Sequence, residues 1–137
     1  KSLLAENDPQ YALYYLALAH ERKKEYDKSI RFFEEAAKAG ISPNMPQYHR
    51  GLARIYSTKK TYNLVLEHYE KSLQYLNDPE VYFYMANTAE QMQKKQNKAI
   101  YYYQQYLKSG HNNAEWQRIA NERVRLLKEK EFMGRKS

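Results

Sequence analysis

The chain has 137 residues, 42% hydrophobic and 28% charged, which is one domain's length and too apolar a mixture for intrinsic disorder. Its 23 Lys and Arg against 16 Asp and Glu give a net charge of +7. That favours acidic partners or a nucleic-acid backbone, unless solvated turns such as Arg22-Lys23-Lys24 and Lys94-Lys95 account for the excess. The absence of cysteine excludes disulfides, zinc fingers and thiol nucleophiles and tolerates a bacterial envelope compartment or the cytoplasm alike; no apolar run approaches the ~18 residues of a membrane span.

Residues 1–9 read KSLLAENDP and residues 71–79 read KSLQYLNDP. The second copy closes one helix and opens the next. By analogy, 1–8 are the end of an upstream helix, and the chain is expected to be a fragment of a longer array. Asp8-Pro9 and Asp78-Pro79 are helix starts. Aspartate accepts from the first free amides, and proline fits the first turn because its missing N–H is not needed there.

Three helix pairs follow. Repeat 1, 9–40, has helices predicted over 9–23 and 26–39, ended by Gly40 in a left-handed cap. Leu13, Leu16, Ala17 and His20 recur at helical spacing, and so do Tyr26, Ser29, Ile30, Phe33 and Ala36. The small residues Ala17, Ser29 and Ala36 allow close approach, and Leu16, Tyr26 and Phe33 are expected to fill the space beside them. The two prolines and Asn44 of the stretch 41–46 mark a turn and a fresh start. Repeat 2, 46–77, has helices predicted over 46–58 and 61–76. Repeat 3, 79–110, has them over 79–94 and 97–109, ended by Gly110. Asn112 or Asn113 caps a last helix over 113–131. Its Leu126-Leu127 stripe is ringed by Arg118, Arg123, Arg125, Lys128 and Lys130, as a terminal helix facing water requires. Residues 132–137 read as a frayed tail.

The pairs repeat one another. With helix A as the first of each pair and helix B as the second, Leu16-Ala17 of helix A is echoed by Leu52-Ala53, 36 residues on, and by Met85-Ala86, 33 further. In helix B, Ser29, Val65 and Ala99 are spaced 36 and 34 apart, as are Phe33, Tyr69 and Tyr103. Such a period marks stacked helix-turn-helix units. In these residues the chain resembles the tetratricopeptide repeat (TPR) family over almost its whole length. The resemblance implies an all-α fold, an α-α superhelix (solenoid) of three TPR-like repeats plus a C-terminal capping helix, in one domain over 1–137.

Departures from the pattern are specific. His49 replaces the early aromatic and Val65 the small residue of helix B, so packing is expected to be looser in the second pair. Gln96 stands where the other bends have Tyr26 and Tyr62, and Arg123 where tyrosine is usual. Gly51 is the one glycine inside a predicted helix, which calls for close packing, ligand approach or simple tolerance.

No catalytic set is visible. His20, His49, His68 and His111 fall on different elements, none at a metal-motif spacing, so no metal or cofactor is expected. Glu34-Glu35 are adjacent on a helix and point apart. There is no phosphate loop and no nucleophile elbow. The chain is read as non-enzymatic.

The resemblance implies that helices A line a concave groove. Its walls would be Tyr14, Tyr15, Leu18, Glu21 and Arg22 in repeat 1, and Arg50, Gly51, Arg54 and Ser57 in repeat 2. Phe83, Tyr84, Asn87 and Gln91 follow in repeat 3, with Arg118, Asn121 and Arg125 from the last helix. Aromatic ends and a cationic middle suit a peptide or helix with some acidic character. The family's carboxylate clamp needs polar residues where Tyr14, Leu18 and Gly51 stand, which disfavours a chaperone-tail ligand. Two other readings remain. RNA binding would use the basic and aromatic face; the junction Ala39-Gly-Ile-Ser-Pro-Asn44 resembles the end of a pentatricopeptide repeat, but the other junctions do not. Self-association through exposed repeat ends would make a homodimer.

Overall fold

The computed structural model describes residues 9–40 and 42–136, with the side chains of 135 and 136 left out. The upstream helix end expected at 1–8, with its Asp8 cap, lies outside the described residues. Among those described there are seven helices and no strand. They are α1 (Pro9–Arg22), α2 (Tyr26–Lys38), α3 (Met45–Thr58), α4 (Tyr62–Tyr75), α5 (Pro79–Glu90), α6 (Gln96–Lys108) and α7 (Ala114–Lys136). They fall into two compact units, one ending at Leu76 and the other starting at Asn77.

In unit 1, α1 packs on α2, α2 on α3 and α3 on α4. Ala17, Phe33, Leu52 and Ile55 form one buried cluster; Ala36, Met45 and Tyr48 form another. Small residues set the approach. Ala17 is fully buried, and its carbonyl accepts a 2.7 Å hydrogen bond from the Ser29 hydroxyl. A methyl at Gly51 would sit 2.5 Å from the Phe33 ring, so close packing is the reason for that glycine. Leu16 breaks the expectation: it is 43% exposed, whereas Leu52 and Met85, its repeat equivalents, are 1% exposed. Leu52 is covered by Phe33 of the preceding helix B, and Leu16 has no preceding helix B among the described residues.

In unit 2, α5 packs on α6 and α6 on α7. Asp78 caps α5 by accepting from the Glu80 amide at 3.0 Å, and Asn113 caps α7 by accepting from the Trp116 amide at 3.0 Å. Two expected bounds are corrected. The helix expected over 79–94 ends at Glu90, where Gln91 and Met92 donate three residues back to Thr88 and Ala89 and so tighten the last turn. The expected tail is helical to Lys136; Gly134 costs a helix only about 1 kcal/mol and does not stop it.

Each A-to-B bend contains a lysine with positive φ: Lys24 at 63°, Lys60 at 61° and Lys94 at 59°. In the first two bends the carbonyls left free at the helix end are claimed in the same way. Lys24 donates to Glu21 and Glu25 to His20, both at 2.9 Å; Lys60 donates to Ser57 at 3.0 Å and Thr61 to Tyr56 at 2.9 Å. This is the pairing of a Schellman cap, made here with lysine in place of glycine. At the other end of the hairpin, Gln10 donates its side-chain amide to the Ala36 and Gly40 carbonyls at 2.8 and 2.6 Å, closing the end of α2.

Candidate protein-binding site

Helix A of the first pair presents aromatic surface. Tyr15 is 50% exposed, with its ring 4.6 Å from Tyr11 and 5.8 Å from Tyr14. Tyr14 is half-buried, 5.4 Å from Tyr48 and 6.1 Å from Phe33; burial, above all, raises its phenol pKa. Leu18 packs against the core beside it. Arg22 is exposed and Arg50 half-buried.

Arg54 is already engaged. Its guanidinium forks onto the Glu21 carboxylate at 2.5 and 2.7 Å, linking α3 to α1 inside unit 1. That fork holds the Arg54 side chain across the first two helices A. It also matches the charge expected from Arg54.

In unit 2 the expected residues divide. Phe83 is 6% exposed and stacked on Trp116 at 4.4 Å, so its ring is core rather than groove wall. Trp116 of the capping helix covers it. Tyr84 stands half-buried at the edge of the same indole, 5.8 Å away. Asn87 is exposed, with its amide oxygen 2.8 Å from the Tyr103 hydroxyl. Arg118 is exposed. Arg125 is exposed and clasped by Glu122 and Glu129, both at 2.7 Å.

Two arrangements escaped the sequence reading. The first is a second fork: Arg123 donates to Glu90 at 2.5 and 3.1 Å, and the buried Tyr103 hydroxyl donates to the same carboxylate at 2.5 Å. Burial and that bond keep Tyr103 protonated, with its pKa raised. The signal was present in Arg123, which stands where the pattern has tyrosine. The second lies in unit 1, where a cleft of about 500 Å³ opens between α2, α3 and α4. Val65 itself is fully buried, so the spare room of the second pair is at this cleft. Inside it, His49 and His68, placed on separate elements with no metal-motif spacing, come together with their Nδ1 atoms 3.1 Å apart. A separation of 19 residues carries no local signal of that meeting.

No family model matches the chain, and no curated protein matches it. Solved structures do. The chain is similar to the Yersinia enterocolitica type III secretion chaperone SycD in complex with a peptide of the translocator YopD. The TM-score is 0.71 at 16% identity, covering 88% of this chain and 92% of that one. It is similar to the Sgt2 TPR domain from Aspergillus fumigatus, with TM-score 0.69 at 18% identity over 95% of this chain and 84% of that one. It is also similar to PcrH in complex with the chaperone-binding region of PopD, with TM-score 0.64 at 16% identity over 92% of each chain. The likeness shows the fold: an all-α, TPR-like α-α solenoid of helix pairs.

Proposed function

We propose that this chain, with its TPR-like fold, is a non-enzymatic scaffold that holds a peptide segment of a partner protein on its helix A faces. The observation that carries this is the aromatic surface of α1. Tyr15 stays half exposed beside Tyr11 and Tyr14, and ring surface of that kind favours contact. The two neighbours solved with peptides of their partners support the same reading. Arg22, exposed at the end of the same helix, supplies charge for an acidic residue on the peptide, while Arg54 fixes the wall. Unit 2 carries a set of its own in Tyr84, Asn87 and Arg118. Glu21, Glu90, Glu122 and Glu129 are tied to arginines, so these four serve as structural partners rather than as bases.

The test selects binders from a displayed random-peptide library on the wild-type protein. Tyr15→Ser and Arg22→Glu are expected to lower the affinity of the selected peptides at least tenfold with helicity unchanged. Peptides that bind both variants as they bind wild type would overturn the site. Capture of RNA in preference to peptides, with affinity collapsing between low and moderate salt, would overturn the function.

A further inference from the structure

Four residues of α1 recur along one line at helical spacing and are exposed together: Ala12, Tyr15, Leu16 and Ala19. The same four positions of α3, 36 residues on, are Tyr48, Gly51, Leu52 and Ile55, and all four are buried. What buries them is a helix. α2 packs on α3, with Phe33 in the buried cluster of Leu52 and Ile55 and Ala36 in that of Tyr48. Unit 1 therefore holds one helix A face with its cover, and one without a cover among the described residues.

The covered face shows what a cover requires. α2 runs antiparallel to α3. Asp27 in its first turn pairs with Lys59, the cap of α3, at 3.1 Å, while Ala36 near its end packs with Met45 and Tyr48 at the start of α3. Between these contacts the Phe33 ring fills the space beside Gly51, where an added methyl would lie within 2.5 Å of it.

The three contacts carry over to α1 with one kept and two inverted. Lys59 becomes Lys23, exposed just beyond α1, so an acidic first turn still finds a cation, and it also suits the start of a helix. Gly51 becomes Tyr15, 50% exposed. The ring now stands on α1, so the residue facing it must be small. Tyr48 becomes Ala12, so the residue facing it has room to be large.

We propose that the stripe Ala12, Tyr15, Leu16 and Ala19 docks an amphipathic helix of a partner protein, antiparallel to α1. That helix carries an acidic residue in its first turn, a small residue six positions later and a large apolar residue three beyond that, the spacing of Asp27, Phe33 and Ala36. The inference rests on the peptide-binding reading of the α1 rings and narrows the partner to a helix of one polarity. A second copy of α1 fits poorly: it has no acidic residue in its first turn, and its large residues sit at the centre of the stripe, where the cover must be small.

The probes are two stapled helices of the α2 sequence, residues 26–38, one unaltered and one with Phe33→Ala and Ala36→Leu. Affinity is read by fluorescence anisotropy on the full chain. The altered helix is expected to bind wild type at least tenfold more tightly than the unaltered one, and Tyr15→Gly is expected to reverse that order. The reversal is a gain of binding, which a misfolded variant cannot give. Leu16→Glu should weaken the altered helix at least tenfold. Lys23→Glu should weaken it about threefold, with Asp27→Lys in the helix restoring it. The same order of affinity on wild type and Tyr15→Gly, unchanged binding to Leu16→Glu, or no binding of either helix would overturn the proposal. Light scattering that gives twice the chain mass, returned to a single chain by Leu16→Glu, would overturn it in favour of a second copy. Library peptides that still lose affinity on Tyr15→Ser while neither helix binds would overturn the helical partner alone; peptides indifferent to Tyr15→Ser would overturn the α1 site itself.

Discussion

The seam between α2, α3 and α4 in unit 1 leaves a cleft of about 500 Å³, with two neutral imidazoles on its wall. The interior between α5, α6 and α7 in unit 2 is filled with rings. Phe83 lies 4.4 Å from Trp116, 5.3 Å from Tyr106 and 5.8 Å from Tyr103. His111 closes that block by pairing with the Tyr106 hydroxyl at 2.8 Å. Both units are built from the same helix pair. The difference shows that a small-residue contact fixes how close two helices come, while the residues flanking it decide whether the space beside them is filled. Close packing of helices and a closed interior are separate outcomes.

The comparison can be broken at its tightest point. Ala53 is fully buried on α3, close in sequence to the open cleft yet with no room of its own. Ala53→Trp should exceed the ~1–3 kcal/mol of ordinary overpacking and unfold unit 1, seen as lost helicity at 25 °C. A variant that melts like wild type would show that the slack of the cleft extends to this contact. In unit 2, Phe83→Ala removes the ring on which the capping tryptophan rests. A loss of about 3–5 kcal/mol is expected, read from urea unfolding followed by Trp116 fluorescence.

The cleft also sets a pH dependence. His68 is held by burial at about 4, below its ordinary 6.5, so the unfolded chain takes up the proton first. Stability is fully present above pH 6.5 and is lost as the pH falls from there towards 4. The charged neighbours on the cleft wall are Glu34 and Lys38 of α2 and Glu67 and Lys71 of α4, with Tyr56 and Tyr75 beside the rings. A loss on the order of 2 kcal/mol by pH 4.5 is expected, read from urea unfolding at each pH. His68→Phe should remove most of that slope. The smallest effect lies at the bends. Lys60→Gly relieves a left-handed backbone at φ 61° and should stabilise unit 1 by about 0.5–1 kcal/mol, visible as a higher melting temperature.

Much of this was legible in the chain itself. Ala17, Ala53 and Ala86 mark the helix contacts because only a small side chain lets two backbones approach, and that requirement is local. Asp78 and Asn113 announce helix starts for the same reason: a cap needs only its own next two or three amides. What failed to show depends on elements far along the chain. Leu16 carries the same local pattern as Leu52, but its exposure is decided by whether another helix lies against it. Phe83 looked like groove wall until Trp116 covered it. The expected tail failed differently, because Gly134 weakens a helix without ending one. The histidine pair depends on how α3 crosses α4, and no spacing rule within one helix encodes that angle.

The two forks have a consequence for which of their members can be exchanged. Glu21 and Glu90 have side chains only 19% and 15% exposed, and each is matched by an arginine 33 residues further on, itself 52% and 37% exposed. Replacing the arginine alone, with its helix kept in place, strands a carboxylate with little access to water, whereas replacing the glutamate leaves a guanidinium still able to hydrate. Each fork is therefore asymmetric: the glutamate depends on its arginine more than the arginine depends on it.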